Sequence, residues 1–263
     1  MANGPRGQAS YCGNGRYYSV TKTITTFSKD GLDLYGQHMI DTWLQYWPVD
    51  HVLTVYTEGF TLPNNDRINQ IDLLSVCPEL IEFKKQSQRL IDAQPLDIKY
   101  RRRIQKTVKW CHKVYAMSHA LRNTAHNHLI FLDGDTYSKS TIPASFARDL
   151  VGKHLFAVHF ENLKHGLHFE TGLMVFNMLH QQMPMLLKKI TQDYDNLNIY
   201  NHNKTWDGYW FSHLYKTMNL DVLNLSQGRG VFNHTLVQHR LGHDAGKKKY
   251  IQAGYNKYTA TRK

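Results

Sequence analysis

The sequence predicts an α/β fold in a single domain, a mixed sheet flanked by helices, and three observations carry that expectation. The chain opens with a strand-like, a helix-like and again a strand-like segment, the order that makes a parallel pair with a right-handed crossover. Strand and helix patterns then alternate through the rest of the chain. Finally, in "HLIFLDGDTYS" (128–138), the apolar run Leu129 to Leu132 ends on two carboxylates, Asp133 and Asp135, separated only by Gly134. Open α/β sheets collect ligands at such carboxyl ends of strands.

Residues 1–18 are rich in Gly, Asn and Ser and read as an N-terminal arm. "KTITTFS" (22–28) is β-branched and predicts a strand. "GLDLYGQHMIDTWLQYW" (31–47) follows, with Leu32, Tyr35, Met39, Trp43 and Trp47 at helical spacing, and "HVLTVYTE" (51–58) predicts the second strand. Pro78 begins the helix "PELIEFKKQSQRLID", and a longer helix covers 98–123. After the strand at 128–133, "LFAVHF" (155–160) and "HFETGLMVFNM" (168–178) predict further strands. "PMLLKKITQDYDN" (184–196) and "WDGYWFSHLYKTM" (206–218) predict helices, and "VLNLS" (222–226) a late strand. The domain is expected over 19–250, with a basic tail at 251–263. There is no internal repeat, no P-loop and no GxGxxG.

A chain of 263 residues with 41% hydrophobic content can bury one substantial core. Neither a membrane-length apolar run nor a signal-peptide core is present, so a soluble, cytoplasmic protein is expected. Three cysteines (Cys12, Cys77 and Cys111) without metal-type spacing fit a reducing compartment. The formal charge of +11, from 32 basic and 21 acidic side chains, favours a polyanionic partner.

The two aspartates admit two readings. Residues two apart on a strand point the same way, so Asp133 and Asp135 would present converging oxygens able to hold Mg²⁺ or Mn²⁺. Alternatively, Asp-Gly-Asp is a turn in which the carboxylates cap backbone amides. Taken alone, the pattern favours the turn.

Its surroundings change that weighting. "HKVYAMSHALRNTAHNHLIFLDGDTYS" resembles the segment leading into the DxD motif of GT-A glycosyltransferases. The resemblance extends to "TITTFS" with "LYGQHMIDTWLQYWP", to "FETGLMVFN" (169–177), and to "HDAGKK" (243–248), which is similar to the H-x-x-G-x-K pattern of glycogenin-like members. These pieces occur in the family's order and span most of residues 20–250. The resemblance implies a Rossmann-like GT-A domain with nucleotide-binding and acceptor-binding halves. It also implies a metal at Asp133 and Asp135, with His243 as a further ligand, bridging the diphosphate of a nucleotide-sugar. UDP-sugar is the expected donor. Lys113 and Lys248 are implied near the sugar-nucleotide, with Lys248 on the leaving phosphate. Thr25, Thr26 and Phe27 stand at the end of the first strand, where the family's base and ribose dock, and Tyr35 could stack there. His239, four residues before His243, keeps the histidine assignment open.

An inverting transfer needs a carboxylate base near the acceptor hydroxyl, whereas a retaining one need not have it. Asp207, in "KTWDGYWF", leads over Glu170, in "FETG"; the competing role for Asp207 is a helix N-cap. Trp206, Tyr209 and Trp210 could stack on a sugar or base, although most aromatics at helical spacing are core. Arg102, Lys106, Lys109 and Lys113 fall on one helical face, widened by Arg101 and Arg103, and residues 246–263 carry six basic side chains and no acid. Transferases resembling this chain are encoded by tailed phages, and some modify hydroxymethylated pyrimidines. The expected acceptor is therefore a hydroxymethyl base in DNA, in a cytoplasm that would be the host's. A glycan, lipid or protein acceptor and an inactive nucleic-acid-binding protein on the same scaffold are the alternatives.

Overall fold

The computed structural model describes residues 21–93, 97–163, 166–226 and 234–243. The arm expected over 1–18 and the tail over 251–263 lie outside them. The chain begins with β1 (Thr21–Phe27). It continues through α1 (Lys29–Gly31) and a π-helical turn (Leu32–Gly36) into α2 (Gln37–Tyr46), which together form the expected first helix. β2 (Leu53–Thr57), β3 (Ile68–Asp72), α3 (Leu73–Val76), α4 (Pro78–Asp92) and α5 (Ile98–Arg122) follow. Next come β4 (His128–Leu132), β5 (Thr136–Ser138), α6 (Phe146–Val151), β6 (Phe156–Leu163) and β7 (Gly166–Asn177). The chain closes with α7 (Met183–Lys189), α8 (Gln192–Asp195), α9 (Asp207–Met218), β8 (Val222–Asn224) and β9 (Leu241–His243).

Seven strands form one mixed sheet in the order β3-β2-β1-β4-β7-β6-β8. β3, β2, β1 and β4 run parallel, β7 is antiparallel to β4 and β6, and β8 is parallel to β6. β1 and β2 are the parallel pair that the opening segments predict, with Ile24 opposite Thr54. β5 and β9 form a separate antiparallel pair.

Strand periodicity sends alternate side chains to two cores. Leu129 and Phe131 of β4, with Met174 and Phe176 of β7, pack beneath α4, α5, α7 and α9. Ile130, Leu132, Leu173 and Val175 pack on the opposite face against Met39, Ile40 and Trp43 of α2 and Phe146 and Leu150 of α6. Both faces of the central strands are thus covered, which explains their near-continuous apolar sequences. No helix among the described residues is long and apolar enough to cross a membrane.

Three differences from the expected elements have local causes. The helix over 184–196 breaks into α7 and α8, because buried Ile190 gives its carbonyl to the Trp210 indole N–H at 2.9 Å rather than continuing the helix. β3 is an edge strand of half-buried residues, "INQID", without an apolar run. β5 and β9 are three residues each and exist through their mutual pairing.

The start of α9 lies so close to β7 that a Cβ on Gly208 would stand 2.1 Å from the Phe169 carbonyl oxygen. Gly208→Ala is expected to cost about 1–3 kcal/mol through overpacking. A fall of several degrees in melting temperature checks this; an unchanged midpoint would show that the α9–β7 approach is slack.

Candidate active site

β4 carries its chain to the edge of the sheet, where the turn Asp133–Gly134–Asp135 is fastened to β7. The Gly172 carbonyl accepts the Asp133 N–H at 2.9 Å and the Thr136 hydroxyl at 3.1 Å, and the Asp133 carbonyl accepts the Thr136 N–H at 2.9 Å. Gly134 is required here by space. A Cβ would lie 2.8 Å from Cδ1 of Phe27 and 3.0 Å from Cε2 of Tyr35. The two rings expected near a nucleotide therefore pack directly against the acidic turn.

The carboxylates divide their roles. Asp133 Oδ1 accepts the Gly134 N–H at 3.0 Å, the capping role foreseen for a turn. Asp133 Oδ2 instead faces Lys113 Nζ at 3.1 Å, and Oδ1 of Asp135, a residue only 2% exposed, meets His243 Nε2 at 2.9 Å. That last contact is built by the small sheet: β5 and β9 place His243 directly opposite Thr136. His239 lies earlier in the same segment, where its carbonyl accepts the Ser140 hydroxyl at 2.9 Å. The pairing thus brings His243, rather than His239, to the aspartates. Burial opposes a charged imidazole at His243, but the Asp135 carboxylate in contact with it raises its pKa above the ordinary value.

Donor atoms of Asp133, Asp135 and His243 all lie within 4.8 Å of one another. Two carboxylates and an imidazole form a set of hard and borderline donors suited to Mn²⁺, and Mg²⁺ could use the carboxylates. The residues present therefore fit the divalent cation that the sequence resemblance implies.

Behind this group sits Lys113, projecting from α5. Its ammonium donates to Asp207 Oδ2 at 2.8 Å, to Thr171 Oγ1 at 2.9 Å and to Asp133 Oδ2 at 3.1 Å. Burial disfavours this charge, but the carboxylates of Asp133 and Asp207 more than offset it and hold the pKa far above the ordinary lysine value. Asp207 is the first residue of α9, and its Oδ2 also accepts the Thr171 hydroxyl at 2.5 Å. Despite burial, Lys113 keeps the Asp207 carboxyl below the usual carboxylate range. Glu170 differs. Its Oε1 accepts the Gly172 N–H at 3.0 Å, and burial pushes its pKa up, with the Lys113 charge only partly offsetting this.

The remaining expected residues are distributed unevenly. Thr25 is fully buried, and the Thr26 hydroxyl donates to the Tyr56 carbonyl at 3.0 Å, so neither presents a free side chain. Trp210 is core, packed on Tyr194 and His213, and its 2% exposure leaves it no face for a ligand, unlike the stacking role open to it in the sequence. Trp206 and Tyr209 are half-buried beside His168. Lys248 lies outside the described residues. Thr171 joins the site without a signal in the sequence, since no spacing rule singles out one threonine among the many in this chain.

Removing one partner of a buried ion pair leaves the other charge uncompensated. Lys113→Met is expected to destabilise the protein by about 3 kcal/mol. Adding Asp207→Asn should recover part of that loss, a coupling read from a double-mutant cycle in urea; strictly additive losses would show that the contact is energetically idle. Because the folded Asp207 pKa is depressed from 3.8, its contribution is present at neutral pH and lost only as pH falls through the folded value.

No protein-family model and no curated protein matches this chain. Solved structures do. Mouse xyloside xylosyltransferase 1 aligns with a TM-score of 0.50 at 13% identity, covering 78% of this chain and 84% of that one. The galactosyltransferase LgtC aligns at 0.44 and 12%, covering 78% and 73%. A glycosyltransferase involved in glycosylation of the major capsid of PBCV-1 aligns at 0.44 and 11%, covering 89% and 98%. At such identities the likeness is one of architecture, and with the mixed seven-strand sheet it shows that this chain has the GT-A glycosyltransferase fold.

Proposed function

We propose that this protein is a metal-dependent glycosyltransferase that moves a sugar from a nucleotide-sugar, with UDP-sugar favoured, to an acceptor hydroxyl. One observation carries the reading: Asp133, Asp135 and His243 converge within 4.8 Å at the carboxyl edge of the parallel strands. These residues would hold Mn²⁺ or Mg²⁺, which when bound offsets the negative charge that develops on a departing diphosphate.

The chain's own groups take the other roles. Tyr35, backed by the buried ring of Phe27 against Gly134, would form one wall for the base, with main-chain atoms of Thr25, Thr26 and Phe27 beside it. Lys113 would hold the Asp133 and Asp207 carboxylates in place. Lys248, from its place in the "HDAGKK" pattern, would meet the phosphates. In the transfer, the bond from sugar C1 to the phosphate oxygen breaks with its electron pair leaving on the diphosphate, and the acceptor oxygen bonds to C1. An inverting reaction would pass the acceptor proton to a carboxylate. Asp207 leads on sequence grounds, but its Oδ2 already accepts from both Lys113 and Thr171. Glu170, with a raised pKa, is the better base.

The net charge of +11 supports a polyanionic acceptor, with hydroxymethylated pyrimidine in DNA favoured. UDP-sugars with Mn²⁺ should raise the melting temperature by several degrees at about 100 times their Kd, and Asp133→Asn or Asp135→Asn should abolish the shift. A shift equal with and without metal would overturn the metal site. With labelled donor, transfer to hydroxymethylated oligonucleotides is expected; transfer to glycan alone would remove DNA as acceptor.

A further inference from the structure

Apart from the metal-binding group, the strongest unassigned feature is a cleft of about 510 Å³ between the first half of α5 and residues 203–206. That volume lies within the range of small-ligand sites. Lys99, Arg102, Lys106 and Trp110 supply its α5 wall, and Lys204 and Trp206 face them. The α5 residues stand at i, i+3, i+7 and i+11, a single stripe along the helix. Lys109, grouped with them in sequence, is outside the lining, and Trp110 takes its place.

The chemistry of this wall is unbalanced. Among the described residues, Lys99, Arg102 and Lys106 are exposed and engage in no salt bridge. Asp97, the acid of the lining, is occupied as the N-cap of α5, accepting the Lys99 N–H at 3.2 Å. Trp110 is half-buried, and no ring among the described residues packs on it. Opposite, the Lys204 ammonium lies 5.0 Å from the Trp206 ring centre and reaches His168 Nε2 at 2.8 Å.

The cleft is also connected to the acidic site along both of its walls. Trp110 is three residues, about one helical turn, from Lys113. Trp206 immediately precedes Asp207, whose carboxylate binds Lys113 at 2.8 Å. A chain lying along the stripe would end beside Lys113 and Asp207.

We infer that this cleft binds a single-stranded nucleic acid, with Lys99, Arg102 and Lys106 meeting successive phosphates and Trp110 stacking on a base. Unpaired cations tracking a backbone beside an uncovered aromatic ring is the pattern of single-strand binding. An anionic glycan, whose sugar rings can also stack on a tryptophan, is the competing occupant that the test below separates. The inference deepens the polyanion-acceptor reading and rests on it for the cleft's role as the acceptor's approach.

The test is fluorescence anisotropy of labelled single-stranded DNA, an abasic oligomer of the same length, and a sulfated polysaccharide, each over a range of salt. For the single strand, the triple variant Lys99→Ala/Arg102→Ala/Lys106→Ala should reduce the slope of log K against log salt by about 2, at roughly 0.7 per phosphate contact. Trp110→Ala should weaken single-strand binding about tenfold, leave the slope unchanged, and have no effect on the abasic oligomer. An unchanged slope in the triple variant would overturn the cleft as the binding place. Polysaccharide binding as tight as single-strand binding, with Trp110→Ala silent on both, would replace nucleic acid by an anionic glycan. Melting temperatures of the variants confirm folding. The Mn²⁺-dependent melting shift with UDP-sugar is scored separately, so its loss sinks the transferase reading and its persistence without oligonucleotide binding sinks only this one.

Discussion

The site depends on one buried cation. Lys113 Nζ lies 2.8–3.1 Å from Asp207, Thr171 and Asp133, side chains carried by α9, β7 and the turn after β4. Three separate stretches of chain therefore meet on a single ammonium carried by a fourth, α5. An unpaired charge at this depth would be prohibitively costly, so the geometry is strongly constrained: displacing any one element strands either the lysine or a carboxylate. The close approach at Gly208, which lets the first turn of α9 lie on the Phe169 carbonyl, follows from the same demand.

That cation also leaves a charge imbalance. Asp133, Asp135, Glu170 and Asp207 gather around Lys113 and His243, and the raised pKa values of Glu170 and His243 both reflect burial competing with this local field. Additional positive charge beside Asp133 and Asp135 would relieve the excess, and this is the electrostatic reason a divalent cation suits the turn. Capping and coordination, which compete when only the sequence is considered, coexist here. Asp133 Oδ1 stabilises the turn through the Gly134 amide, while the donor atoms of Asp133, Asp135 and His243 converge.

α5 joins the two chemistries. Its Ile104, Cys111, Val114 and Met117 lie in the core beneath the sheet, Lys113 turns inward to the acids, and Lys99, Arg102 and Lys106 face solvent beside Trp110. A face that is uniformly basic in sequence is thus two environments in space. Near the N-terminal end its charges remain unpaired, and near the sheet's edge the charge is neutralised by carboxylates.

Local pattern was enough for much of this. Helical patterns delimited α4 and α5 closely, and the apolar run Leu129–Leu132 into Asp-Gly-Asp marked β4 and located the acidic turn. These features are set by near neighbours along the chain, so single-sequence reasoning reaches them. The rest needed the fold. β5 and β9, only three residues each, have no pattern of their own, yet their pairing chooses His243 over His239. In the sequence Gly134 merely separates two acids, whereas the rings of Phe27 and Tyr35 make it a spatial necessity. Asp207 and Thr171 acquire their roles from a lysine 94 and 58 residues away in the chain, respectively. Trp210 exchanges a ligand-facing expectation for the core, and Trp110 gains an open face. The sequence by itself determined which residue types were available at each strand end and helix face. The tertiary structure alone decided which of them meet, because burial, charge pairing and close approach act between segments that are distant along the chain.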